Sequence, residues 1–152
     1  MVFLISLLAC GDTNHSDAGG SSEEDQALAD SLWDAIQDYD TWGNPPNWGT
    51  TPVLSDSHSG AYVVIWIDDT LSAWDATGSA PEGAIAVKEA FADEAGTTLK
   101  NYTVMQKIAG YDSAHGDWFW AAFSPDGVVS TAGQVEGCYS CHADGNDYML
   151  FE

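Results

Sequence analysis

The chain has 152 residues, of which 24 are acidic against three lysines and no arginine, giving a formal net charge of −21. This balance excludes nucleic acid as a partner, because phosphate recognition rests on Lys and Arg, and it opposes direct docking on an anionic membrane surface. It leaves open a basic redox partner protein, a small neutral or cationic substrate, or a solvated acidic surface suited to a saline habitat.

From the N-terminus, Val2 to Ala9 is an apolar run that closes on Leu7-Leu8-Ala9-Cys10. It is too short to span a bilayer and has the length of a signal-peptide core. The residues before Cys10 resemble a bacterial lipobox, which implies cleavage before the cysteine and a lipid on its thiol. Residues 1–9 are then a lipoprotein signal peptide, and membrane attachment falls to the lipid on Cys10 alone. No Lys or Arg precedes the run, as export signals normally require, so a start further upstream stays open. The expected location is the bacterial cell envelope, lipid-anchored and facing the periplasm, with Gly11 after the cysteine favouring the outer membrane. Residues 10–23, rich in Ser, Gly, Asp and Asn, read as a flexible acidic tether too polar to pack. His15, within it, has no expected role. Residues 24–152 are enough for one folded domain and not for two.

Ser21-x-x-Glu24 reads as a capping box. Leu28, Leu32, Ile36 and Tyr39 recur at helical spacing and predict an amphipathic helix over 24–39. Gly43-Asn44-Pro45-Pro46 ends it, with Trp42 and Trp48 placed to pin the loop. Ala61 to Ile67, β-branched and aromatic, predicts a buried strand. Asp68-Asp69-Thr70 caps a short helical turn carrying Leu71 and Trp74. Ala84 to Phe91 is the next strand, with Ile85, Val87, Glu89 and Phe91 on one face and Ala84, Ala86, Lys88 and Ala90 on the other. Lys88 therefore stands among small residues, on a face with room for a bulky group such as a porphyrin. Tyr102 to Ala109 predicts a strand with Thr103, Met105 and Lys107 on one face, and Trp118 to Phe123 predicts another. Ser124-Pro125-Asp126-Gly127 is a hairpin turn into Val128 and Val129. Asp147 to Phe151 is expected to add a closing strand. A helix followed by short strands on short connections predicts an α+β domain, mainly antiparallel sheet with one N-terminal and one short helix.

Cys138-Tyr139-Ser140-Cys141-His142 is a C-x-x-C-H motif, the attachment signature of a c-type haem. The two thiols add across the haem vinyl groups as thioethers, and the histidine is placed under the iron as proximal ligand. A redox pair would not need the adjacent histidine. A zinc site would need a second ligand pair, for which Cys10 is the only other cysteine. The expected cofactor is haem c with its iron, bound near the C-terminus, whereas the small helical cytochromes c carry the motif near the N-terminus. Seven Trp, six Tyr and five Phe supply apolar bulk to pack around it.

Several segments in order carry a resemblance over Ser57 to Phe151. They are His58-Ser59-Gly60-Ala61-Tyr62-Val63, Gly83-Ala84-Ile85-Ala86-Val87-Lys88-Glu89, Val104-Met105-Gln106-Lys107, Gly116-Asp117-Trp118-Phe119-Trp120, and the haem motif with Asp147-Tyr148. In these the chain resembles cytochrome P-460 and its relatives, the β-sheet cytochromes c′ (cytochrome c′-beta). The resemblance implies haem c on an antiparallel sheet, bound through Cys138, Cys141 and the proximal iron ligand His142, with an open distal side. In cytochrome P-460 a lysine of the Lys-Glu element is bonded to the porphyrin rim, and that position matches Lys88. The c′-beta relatives share the fold without this bond.

Two functions part on that point. The P-460 likeness implies oxidation of a small nitrogen compound, hydroxylamine first, assisted by a carboxylate base for which Glu136 and Glu89 are the candidates. Glu89, opposite Lys88 on its strand, is the weaker of the two. The c′-beta likeness implies binding of nitric oxide or carbon monoxide in a pocket lined by aromatics such as Phe91, Trp118, Phe119 and Trp120. A third reading is a simple electron-transfer cytochrome, in which Met105, Met149, His58 or His115 supplies a sixth ligand. A homodimer is left open.

Overall fold

A computed structural model describes residues 21–55 and 61–150. The expected signal peptide, Cys10, His15, most of the tether, His58 and Phe151 lie outside the described residues.

Six strands, β1 (Val53–Ser55), β2 (Ala61–Ile67), β3 (Ile85–Phe91), β4 (Leu99–Lys107), β5 (Trp118–Phe123) and β6 (Val129–Gly133), form one antiparallel sheet in chain order. Three α-helices, α1 (Glu23–Ala35), α2 (Asp69–Ser72) and α3 (Glu136–His142), complete the α+β domain. The predicted central strands are present with the predicted facing. Side-chain alternation along each strand divides the buried residues into two populations. Val64, Trp66, Val87, Phe91, Val104, Phe119, Ala121 and Phe123 pack with Ala29 and Leu32 of α1 and with Ile36, its C-cap, on one face of the sheet. Ile67, Ala84, Ala86, Met105, Trp118 and Trp120 pack with Leu71, Met149 and the side of α3 on the other. Phe119 and Phe123 are fully buried, and each contributes roughly 2–3 kcal/mol by leaving water.

α1 starts one residue before its predicted first residue, and its cap lies one residue after the predicted Ser21. Ser22 is the N-cap, its side chain accepting from the Asp25 N–H at 3.0 Å, while Glu23, Glu24 and Asp25 complement the positive helix end. Ser21 instead accepts from the Ala132 N–H at 2.7 Å, tying the helix start to β6. The helix also ends earlier than predicted, at Ala35, with Tyr39 in a separate 3-10 turn (Tyr39–Thr41). The reason is Glu89. The Tyr39 hydroxyl donates to its Oε1 at 2.8 Å, and Trp66 Nε1 donates to its Oε2 at 2.8 Å. The 3-10 turn brings Tyr39 to that half-buried carboxylate.

Asp68 caps α2 as predicted, accepting from Leu71 N–H at 2.9 Å and from Ile85 N–H at 3.1 Å. Trp42 packs into the α1-side core and Trp48 against Ala61, Val63 and Ala90 on the opposite face. Two expectations are corrected. Where a closing strand over 147–151 is predicted, the described residues 147–150 hold a tight turn closed by the Met149 N–H to Asn146 O bond at 2.9 Å, with Asp147 and Tyr148 both at positive φ. The C-x-x-C-H segment is a third helix that the sequence reading did not include.

Candidate haem-binding site

The site begins with the helical spacing of the motif. Val135 precedes α3, and its carbonyl accepts from Cys138 N–H at 2.9 Å and Tyr139 N–H at 3.1 Å. Residues three and four apart share a helix face, so Cys138, Cys141 and His142 emerge together. That face meets the sheet over an apolar cavity of about 220 Å³ whose walls include Ile65, Ala86, Lys88, Thr103, Met105, Trp120, Met149 and Leu150. β2, β3, β4 and β5 each contribute to the wall, because period-2 alternation brings residues 65, 88, 103, 105 and 120 to one side of the sheet. Ala86, across from Met105, is the small residue that leaves the space.

His142 is oriented from two sides. Its Nδ1 lies 2.8 Å from the Tyr148 carbonyl, which can only accept, so Nδ1 carries the proton and Nε2 keeps its lone pair. The Trp120 indole meets the imidazole edge to face with ring centroids 4.9 Å apart. Burial lowers the pKa of the imidazole, against the opposing pull of the Tyr148 bond, and so favours the neutral ligand form. Lys88 is half-buried on the same wall. Desolvation pushes its amine down to about 8, while proximity to Cys138 and Cys141 opposes the shift. Burial likewise raises the Cys138 thiol, against the influence of Lys88. That is opposite to what a redox thiol needs. Among the described residues, no group of three His, Cys, Asp or Glu side chains converges as a metal ion would require. Both alternatives to haem therefore lose support from geometry.

Cys138, Cys141, His142 and Lys88 are thus brought to one cavity, together with Met105 and Met149. Glu136 is not. It stands exposed in the first turn of α3 and is absent from the cavity lining. Glu89 is on the α1 side of the sheet, held by Tyr39 and Trp66. Of the four aromatics expected around a distal ligand, Trp120 lines the cavity and Trp118 is on its side of the sheet, whereas Phe91 and Phe119 face α1. His115 pairs through Nδ1 with Asp112 at 2.8 Å and stacks on Tyr139 at 3.8 Å, a packing role beside α3. Three groups the sequence reading did not assign are the Tyr148 carbonyl, Asp147 and Lys107. The last two form a buried ion pair at 2.6 Å. The placing of Lys107 on the Met105 face was the available signal.

The residues present fit a haem. The walls are apolar, two thiols and one neutral imidazole share a helix face that lines the cavity, and the Cys141 thiol is accessible. Trp120 Nε1 is the one buried side-chain nitrogen or oxygen among the described residues without a hydrogen-bond partner, an omission that a group bound in the cavity can make good. Comparison with curated proteins gives no match. The Cytochrome P460 family model matches residues 37–150, which span the whole sheet, the cavity and the C-x-x-C-H helix, and the chain belongs to that family.

Proposed function

We propose that the protein is an exported monohaem cytochrome that oxidises hydroxylamine, with Cys138 and Cys141 holding haem c as thioethers, His142 as the only axial protein ligand, and Lys88 forming a third covalent link to the porphyrin rim. Cytochrome P460 proteins bind haem c and act on nitrogen compounds. The finer assignment to hydroxylamine is carried by one observation, that Lys88 lines the same cavity as the two cysteines and the histidine. Bound there, haem c supplies an iron that takes up a small nitrogen ligand and accepts its electrons. The chain's own part is positional and electrostatic. The Tyr148 carbonyl fixes the tautomer of His142, the apolar walls exclude water, and desolvation gives Lys88 a larger neutral, nucleophilic fraction than an ordinary lysine has.

A second reading, a cytochrome that binds nitric oxide or carbon monoxide, is supported by a different observation. No carboxylate lines the cavity among the described residues, so no acidic base stands within hydrogen-bond reach of a bound substrate. The Lys88→Ala variant separates the two. Under the first reading it keeps both thioethers, changes the visible spectrum, loses hydroxylamine oxidation and still binds nitric oxide. Identical spectra for wild type and variant, with hydroxylamine oxidised by neither, would establish the gas-binding reading. A low-spin six-coordinate spectrum that Met105→Ala or Met149→Ala abolishes would instead make the protein an electron carrier.

The lipid on Cys10 and the periplasm-facing location rest on the sequence, and an intact mass with residues 1–9 removed and a diacylglycerol added is the result expected. The charge of −21 suits a basic redox partner.

A further inference from the structure

The turn that presents the Tyr148 carbonyl is unusual in its backbone. Asp147 has φ 45° and Tyr148 φ 65°, left-handed conformations that residues with a Cβ seldom adopt. Such a turn persists only if its surroundings hold it, and here they do so through Asp147. Lys107 Nζ sits 2.6 Å from Asp147 Oδ2, and the Ala80 N–H donates to the same oxygen at 2.6 Å. Trp118 Nε1 donates to the Asp147 main-chain carbonyl at 2.8 Å, and the Lys107 ammonium lies 5.0 Å from the Trp118 ring. Lys107 is only 6% exposed. A buried charge pair of this kind offers little net stability compared with apolar replacements, and its better attested use is to specify one arrangement.

Resting on the haem reading above, we propose that Lys107 and Asp147 are positioning residues for the proximal histidine. Neither lines the haem cavity. Their ion pair anchors the 146–149 turn to the ends of β4 and β5, which fixes the Tyr148 carbonyl 2.8 Å from His142 Nδ1. An imidazole whose Nδ1–H is held by an acceptor is a more basic ligand through Nε2. The pair therefore sets how strongly His142 donates to iron without touching either.

The experiment compares haem-loaded wild type with Lys107→Met and Lys107→Arg. The ferrous iron–histidine stretching frequency is read by resonance Raman and the midpoint potential by redox titration, with thermal melting alongside. In Lys107→Met the Asp147 carboxylate loses its counter-charge and the turn relaxes, so the stretching frequency falls and the potential rises. Lys107→Arg, which keeps the charge, returns both towards wild type. Gly127→Ala, a destabilising change on the far side of the sheet, leaves both unmoved and so controls for lost stability. If Lys107→Met yields no folded protein, Asp147→Asn gives the same two readouts with the acceptor for Ala80 N–H retained. Stretching frequencies and potentials identical in all variants overturn the proposal while leaving the haem reading intact. A wild type with no iron–histidine bond overturns both. Hydroxylamine turnover is read in no arm, so its absence bears only on the functional assignment.

Discussion

The three lysines of this chain occupy three different environments. Lys100 is exposed, Lys107 is buried against Asp147, and Lys88 is half-buried in an apolar wall with its pKa pushed down to about 8 by desolvation. The direction of the Lys88 shift has two consequences. The amine becomes neutral as pH rises through about 8, so a small acylating reagent should label Lys88 in haem-free protein with a midpoint there, Lys100 serving as the in-chain reference. Peptide mass spectrometry across pH 6–10 checks this, and in haem-loaded protein the same peptide should carry the haem instead. The unfolded chain also holds the Lys88 proton up to the ordinary lysine value near 10.5. Between about pH 8 and that value the unfolded state binds more protons, so this residue's unfavourable contribution is full below pH 8 and fades as pH rises. At this scale the sequence was legible wherever alternation applied. The small-residue face of residues 84–90 placed Lys88 on the side of the sheet where it lines the cavity and separated it from Glu89. It was silent on Glu136, because a helix that begins at that residue turns its first side chain away from the cavity and no strand pattern could show it.

Among the elements, α3 and the short edge strand β1 are absent from the sequence expectations, although the signal for α3 was present. Positions i, i+3 and i+4 of a C-x-x-C-H motif coincide only on a helix. The segment is seven residues long with no apolar periodicity of its own, so a search for amphipathic pattern passes over it. The opposite error arose at 147–151, where Tyr, Met, Leu and Phe suggest a strand. The ion pair with Lys107 and the left-handed turn, both tertiary effects, override that local propensity. The Ser124–Gly127 hairpin, by contrast, was read correctly and ties two layers together. A Cβ on Gly127, which has φ +80°, would come within 2.4 Å of the Trp33 ring, itself packed on Tyr102 and Phe123 at 5.3 and 4.9 Å. Gly127→Ala should therefore cost about 2–3 kcal/mol from overpacking and backbone strain together. Denaturant unfolding measures that loss, and the haem spectrum should stay unchanged because Trp33 is on the α1 side of the sheet.

For the molecule as a whole, the fold class was legible in a helix followed by apolar strands on short connections, since neighbouring strands so joined pair antiparallel, whereas the strand order emerges from the structure. A charge of −21 on a domain of this size is self-repelling. Salt shortens the reach of that repulsion to about 10 Å at 0.1 M. The melting temperature of the haem-loaded protein should accordingly rise between 10 mM and 0.5 M sodium chloride. A fall over that range would show that specific ion pairs outweigh the net field. The same screening should slow electron exchange with a basic partner.

The strict chain order of the strands also bears on how the molecule is assembled. Each pairing joins a strand to the one made just before it, from β1–β2 through β5–β6, so loop closures are short and the sheet can zip up progressively. The sheet side of the cavity, drawn from β2 to β5, thereby precedes α3 and the Met149-Leu150 segment that close it. The two cysteines and His142 thus come late in the chain, meeting a sheet face whose strands pair locally and can form without them.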